Sequence, residues 1–141
     1  MEITEAQKDQ VREIGEKFGL KLILLYGSYA KGTQTELSDL DIAVMGKKPL
    51  DFNVHIKLYG EFSGVFGDIK RDLDVQLLER KDPLFLYQVA KNSQLFYGTT
   101  FDYNEFRAYA FRAYRDSKDL RALQDKLMMR YQEHLYKTYV R

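Results

Sequence analysis

Four aspartates and one Gly-Ser pair hold the residue types that can do chemistry together in this chain. Asp39 and Asp41 flank Leu40 at the start of a stretch, Leu40 to Met45, that reads as a strand. Residues two apart on a strand project from the same face. Two like charges side by side on a sheet repel unless something positive sits between them. A hard divalent cation, Mg²⁺ above all, is the natural partner, because it takes oxygen ligands and is usually shared with substrate phosphates. Upstream, the run Leu20 to Tyr26 ends abruptly at Gly27-Ser28. A strand that runs into Gly-Ser and a new helical turn presents backbone N–H groups and one hydroxyl at a positive helix end, where phosphate oxygens bind well. Gly27 leaves space for a phosphate to approach the backbone. A third carboxylate is expected from a neighbouring strand. Asp74 fills a polar slot in the otherwise apolar Leu73 to Leu78, and Asp72 lies on the same face two residues earlier. Asp74 is the favoured inner ligand, with Asp72 in reserve.

The elements that must position these groups follow from periodicity. Thr4 with Gln7 makes a capping box, Val11, Ile14 and Phe18 recur at helical spacing, and Gly19 suits the residue after the helix end. Leu20 to Tyr26 is too short for most helices and reads as a buried strand. Leu50 to Phe66 reads as a helix behind Pro49 with Asp51 as its cap, weakened by Gly60 and Gly64. Leu73 to Leu78 alternates and reads as a third strand. Asp82-Pro83 is a cap followed by a first-turn proline, opening a helix through about Ala90. Leu95-Phe96-Tyr97 before Gly98 reads as a short edge strand. Asp102 with Glu105 makes a further capping box. Phe106, Tyr109, Ala110, Ala113, Leu120, Leu123, Leu127, Tyr131 and Leu135 then recur at three or four, giving one long helix or two with a break near Asp116-Ser117. The fold class is α+β: a small mixed sheet flanked by helices, with a C-terminal helical tail.

Gly27-Ser28, ten intervening residues (29–38) and Asp39-Leu40-Asp41, with a third acidic residue on a later strand, resemble the signature of the DNA polymerase β-type nucleotidyltransferase superfamily. The small size and the Gly-Ser-Tyr-Ala-Lys-Gly-Thr wording at 27–33 look like the minimal nucleotidyltransferases, and among them the MNT antitoxins encoded beside HEPN-domain toxins. The resemblance covers Leu20 to about Leu78, the segment Leu95 to Gly98 and the helical tail. It implies a polymerase β-like fold, with 1–101 as the nucleotidyltransferase core and 102–141 as a helical extension packing on the core or on a partner, one domain overall. It also implies that Gly27 and Ser28 hold the triphosphate of ATP, and that Asp39 and Asp41 bind Mg²⁺. Asp74 would complete a two-metal site and assist the attacking hydroxyl, and Lys31 is a further candidate for phosphate contact. The reaction implied is in-line attack on the α-phosphate, transferring AMP to a tyrosine of a HEPN-type toxin and so neutralising it. The rival readings are neutralisation by binding alone, and nucleotidyl transfer to a small molecule such as an aminoglycoside.

Composition narrows the field from the other side. With 141 residues the chain is one ordinary domain. It has no cysteine, which removes disulfides, thiolate metal sites and a cysteine nucleophile together. His55 and His134 are far apart, which argues against a zinc cluster. No run approaches a membrane span, and Met1-Glu2-Ile3-Thr4 does not read as a signal peptide, so a cytoplasmic protein is expected. The first 80 residues are mildly acidic and the remainder mildly basic and tyrosine-rich. Neither half carries the concentrated basic stripe of a nucleic-acid binder, but an aromatic, mildly basic tail with Tyr109, Tyr114, Tyr131, Tyr136 and Tyr139 suits an interface. His55 reads as a helix-surface residue.

Overall fold

A reciprocal cap starts the first helix, α1 (Glu5–Lys17). The Gln7 amide N–H donates to Thr4 Oγ1 at 3.1 Å, and the Thr4 N–H donates back to Gln7 Oε1 at 3.0 Å. The helix is followed by Gly19 at φ +61°, which turns the chain into strand β1 (Leu20–Tyr26). The computed structural model describes residues 3–27, 39–67, 72–79 and 81–139. After β1 come β2 (Leu40–Gly46), helix α2 (Phe52–Phe66), β3 (Leu73–Leu77), α3 (Pro83–Lys91), β4 (Ser93–Tyr97), α4 (Thr100–Asp116) and α5 (Lys118–Tyr139). Asp51 caps α2 through Val54 N–H, and Asp82 caps α3 through Phe85 N–H with Pro83 in the first turn, as their side chains predict. Gly60 and Gly64 do not break α2, which is held by its cap and by burial of Leu58, Phe62 and Phe66.

The strands form a mixed sheet in the order β3-β2-β1-β4. β1 runs antiparallel to β2 and β4, while β2 and β3 are parallel, with α2 in the connection between them. A parallel pair needs a crossover of this kind. Both faces are covered. On one, Ile23, Leu25, Ile42 and Val44 pack with Val11 and Ile14 of α1 and Leu58 and Phe62 of α2. On the other, Leu22, Leu24 and Ala43 pack beneath Leu86 and Val89 of α3 and Phe106 and Ala110 of α4. Burial on both sides is why Leu22 to Leu25 of β1 form a continuous apolar run rather than an alternating one. Phe62 is fully buried in the first of these cores. Phe62→Ala is therefore expected to cost about 3–5 kcal/mol, read as a lowered midpoint of urea unfolding.

Two local features differ from the sequence expectations, and a third decides between two forms they left open. Helix α4 starts at Thr100, and its cap is Thr99, whose Oγ1 accepts the Asp102 N–H at 3.0 Å. Asp102 is thus a first-turn acid, favourable to the helix dipole, rather than the cap. The helical tail breaks at Ser117, the second of the two forms that periodicity allows. Arg121 secures the break by donating to the Tyr114 carbonyl at 2.8 Å and placing its guanidinium 3.7 Å from the centroid of the Tyr114 ring. Finally, His55 is half-buried rather than a plain surface residue. Its Nε2–H donates to the Val75 carbonyl at 2.6 Å, tying α2 to β3 at the edge of the sheet.

Candidate active site

Register places the acidic residues. Asp41 is the partner of Tyr26 across the antiparallel β1–β2 pair, and of Asp74 across the parallel β2–β3 pair. Three neighbouring strands therefore contribute one polar residue each to a single row: Asp74, Asp41, Tyr26. Side chains in such a row stand roughly 5 Å apart at Cβ. The row lies on the sheet face that carries α3 and α4, since Ala43 and Leu24, two residues along from Asp41 and Tyr26, pack there. Asp39 is exposed and precedes β2 by one residue, close enough to bear on Asp41. Asp72 is exposed at the entrance to β3, where its carbonyl accepts the Leu40 N–H at 2.9 Å. Ser28 and Lys31 lie outside the described residues.

Gly27 closes the row from β1. Its φ is +76°, a region that side-chain-bearing residues seldom adopt. A Cβ built on it would run into Asp41 Oδ2. Glycine is thus required here twice, by backbone conformation and by the carboxylate lying against it.

The electrostatics of the row call for a cation. Burial, then the charge of Asp74, then that of Asp39, push the Asp41 carboxyl up to about 6. The Tyr26 hydroxyl is pushed well above the ordinary tyrosine range, first by burial, then by the charges of Asp74 and Asp41, then by its hydrogen bond to Asp74. Gln76, two residues beyond Asp74 on the same strand, donates Nε2–H to Asp74 Oδ1 at 2.9 Å. Neither Tyr26 nor Gln76 stood out in the sequence. Their signal is relational: one is the register partner of Asp41, and the other sits at i+2 from Asp74. Among the described residues no three ligating side chains already close around one point. A divalent ion among oxygen donors would invert this local balance of charge.

A stability prediction follows from Asp41. Its folded pKa is raised above its ordinary value of 3.8, so the native state binds this proton more tightly than the unfolded chain does. Stability of the metal-free protein should therefore fall as pH rises from about 4 through about 6. The side chain is only half-buried, so after discounting for solvent screening the loss is about 1 kcal/mol. Thermal unfolding of wild type and Asp41→Asn in chelator should show the gap in melting temperature opening across that interval, with the variant the more stable above it.

Comparison with known proteins agrees with this geometry. The family model "Polymerase beta, Nucleotidyltransferase" matches residues 9–102, a span that includes all four strands and every residue of the row. The chain belongs to the polymerase beta nucleotidyltransferase family. Within this nucleotidyltransferase family, a putative protein adenylyltransferase of Methanocaldococcus jannaschii is 38% identical over 72 residues, 51% of this chain and 72% of that protein. Protein adenylyltransferase MntA of Shewanella oneidensis is 30% identical over 96 residues, 68% of this chain and 67% of that one. A crystallised toxin–antitoxin with AMP-PNP superposes with a TM-score of 0.70 at 26% identity, covering 86% of this chain and 98% of that one. A tri-AMPylated HEPN toxin of Shewanella oneidensis in complex with MNT antitoxin gives a TM-score of 0.66 at 22% identity, over 88% and 98% of the two chains, a likeness of fold alone. The fold is thus the polymerase β-like one expected from Gly27-Ser28 and Asp39-Leu40-Asp41.

Proposed function

We propose that this nucleotidyltransferase is an antitoxin: it transfers AMP from ATP to a tyrosine of a HEPN-type toxin and so neutralises it, in the cytoplasm and with Mg²⁺. The observation that carries the reading is the Asp41–Asp74 pair set in register beside Gly27, in a chain whose relatives include protein adenylyltransferases. An all-oxygen donor set, with the Asp41 carboxyl raised by burial and by the charges of Asp74 and Asp39, fits Mg²⁺. Asp39, Asp41 and Asp74 are the residues that would hold it. When bound, the metal neutralises charge on the entering and leaving oxygens of a phosphoryl centre.

The chain's own residues supply the rest. Gly27, with Ser28 following it, offers backbone to the triphosphate, and Lys31 is a further phosphate contact. Gln76 and Tyr26 fix the rotamer of Asp74 by hydrogen bonds, so that its carboxylate faces Asp41 and is held for the incoming hydroxyl. The tyrosine oxygen of the acceptor attacks the α-phosphorus, the bond from that phosphorus to the bridging oxygen breaks, and pyrophosphate leaves. The proton of the hydroxyl goes to the Asp74 side of the row. Alignment of this kind is where much of the acceleration in such transfers originates.

The tail suits a protein acceptor. Residues 102–141 act as the helical extension, and α5 buries no residue of its own while exposing Leu120, Leu123, Leu127, Met128 and Tyr131. A helix in water draws most of its stability from packing an apolar face, so a partner surface is the natural cover. No described helix is long and apolar enough to cross a membrane. The test uses the chain purified with its partner. Label from ATP marked at the α-phosphate should enter the partner, and label at the γ-phosphate should not. Label from the γ position would instead mean phosphoryl transfer, and label from neither would favour neutralisation by binding alone.

A further inference from the structure

Beside the carboxylate row lies a cavity of about 400 Å³ between the end of β1 and one side of α3, within the roughly 300–1,000 Å³ usual for small-molecule sites. Gly27 and Tyr26 form its inner wall, so it opens directly off the place where a triphosphate would meet the backbone. Phe85 and Tyr87 give it further aromatic walls, beside aliphatic Leu84 and Val89. Phe85 meets Tyr26 edge to face at 5.8 Å and 82°. Tyr87 is held flat by stacking on Tyr114 at 4.0 Å and 13°, so its orientation is fixed before any ligand arrives. The Lys91 ammonium also lines it, 5.9 Å from the Tyr87 ring centroid; the side-chain amides are those of Gln88, exposed on α3, and Asn92, half-buried at the end of that helix. Each carries a donor and an acceptor.

We propose, resting on the nucleotidyl-transfer reading above, that this cavity receives the base of the donor nucleoside triphosphate, with Gln88 and Asn92 reading its edge. Position decides between a base and the aromatic side chain of an acceptor. The cavity opens on the β1 side of the row, at Gly27, whereas Asp74, the carboxylate held for the attacking hydroxyl, lies at the opposite end on β3. The nucleotide's own remainder is therefore the group placed to enter it. Flat rings in an aromatic slot gain from stacking whatever the base. Primary amides pair with adenine through one donor and one acceptor.

The experiment measures dissociation constants of the full chain by calorimetry, in Mg²⁺, for ATP and for inorganic tripolyphosphate, which has no base. Wild type should bind ATP more tightly than tripolyphosphate. The double variant Gln88→Ala, Asn92→Ala should bind ATP about tenfold more weakly and tripolyphosphate unchanged, the latter showing that the fold and the phosphate site are intact. Unchanged ATP affinity in that variant, or a wild type that binds ATP no tighter than tripolyphosphate, overturns the base site while leaving the transfer reading in place. A raised KM for the partner protein at unaltered ATP affinity would give the cavity to the acceptor instead. A wild type that binds neither ligand overturns both readings together.

Discussion

The double variant Asp39→Asn, Asp41→Asn is expected to lose AMP transfer by roughly 10³-fold, while folding at least as stably as the unaltered chain. On the proposed reading the loss follows because the amides would not hold a divalent ion, whose charge stabilisation at a phosphoryl centre is a contribution of several kcal/mol. The gain in stability follows from the same residues. With no ion present, Asp41 faces Asp74 and Asp39, and its carboxyl is already pushed up to about 6 by burial and by both charges. Removing those charges removes the repulsion. Activity and metal-free stability should therefore move in opposite directions, an outcome that a merely structural pair of aspartates would not give. Single-turnover transfer to the partner and thermal unfolding in chelator read the two effects. If the double variant neutralises the partner as well as wild type does, binding alone accounts for neutralisation and the carboxylates are bystanders.

The second large effect is at Gly27. Gly27→Ala should reduce transfer by at least 100-fold and lower stability by about 2 kcal/mol. Backbone at φ +76° costs a residue with a Cβ about 1–2 kcal/mol, and the new methyl group would run into Asp41 Oδ2. The carboxylate must then leave the row, and displacement of a reacting group by about 1 Å can cost 10²-fold. Gly19 supplies the control. It too has positive φ, at +61°, but nothing lies within 4 Å of a Cβ placed there. Gly19→Ala should show the loss of stability, about 1 kcal/mol, with transfer close to normal. Equal loss of activity in the two variants would mean that strain alone is at work, and that the contact between Gly27 and Asp41 is unimportant.

Much of this architecture can be read from local chemistry. Thr4 with Gln7, Asp51, and Asp82 with Pro83 start helices where their side chains say they should, because a cap is a contact within one turn. The doubly buried stretch of β1 betrays itself as the uninterrupted apolar run Leu22 to Leu25. Helix α4 shows where local rules stop deciding. Thr99–Asp102 and Asp102–Glu105 satisfy the same three-residue spacing, and the turn at Gly98, with φ +117°, comes immediately before the first pair. The apolar stripe of α5 is equally readable as a stripe, but periodicity identifies a face and not what covers it. The described chain brings nothing against Leu120, Leu123 or Leu127 that buries them. At the site, the aspartates and Gly27 announce themselves by type and spacing. Tyr26 and Gln76 do not, since tyrosine at a strand end and glutamine in a strand are ordinary until the register sets one beside Asp41 and the other against Asp74. His55 is the same case: its bond to the Val75 carbonyl depends on how α2 returns over β3.

The central claim is that the Asp41–Asp74 row transfers a nucleotidyl group to a partner protein. The measurement that bears on it most directly is the intact mass of the partner, purified with this chain and incubated with ATP and Mg²⁺, with wild type and with Asp41→Asn. Gains in whole AMP units on the partner, absent with the variant, are the predicted result. A stable complex in which the partner's mass is unchanged by ATP would contradict it.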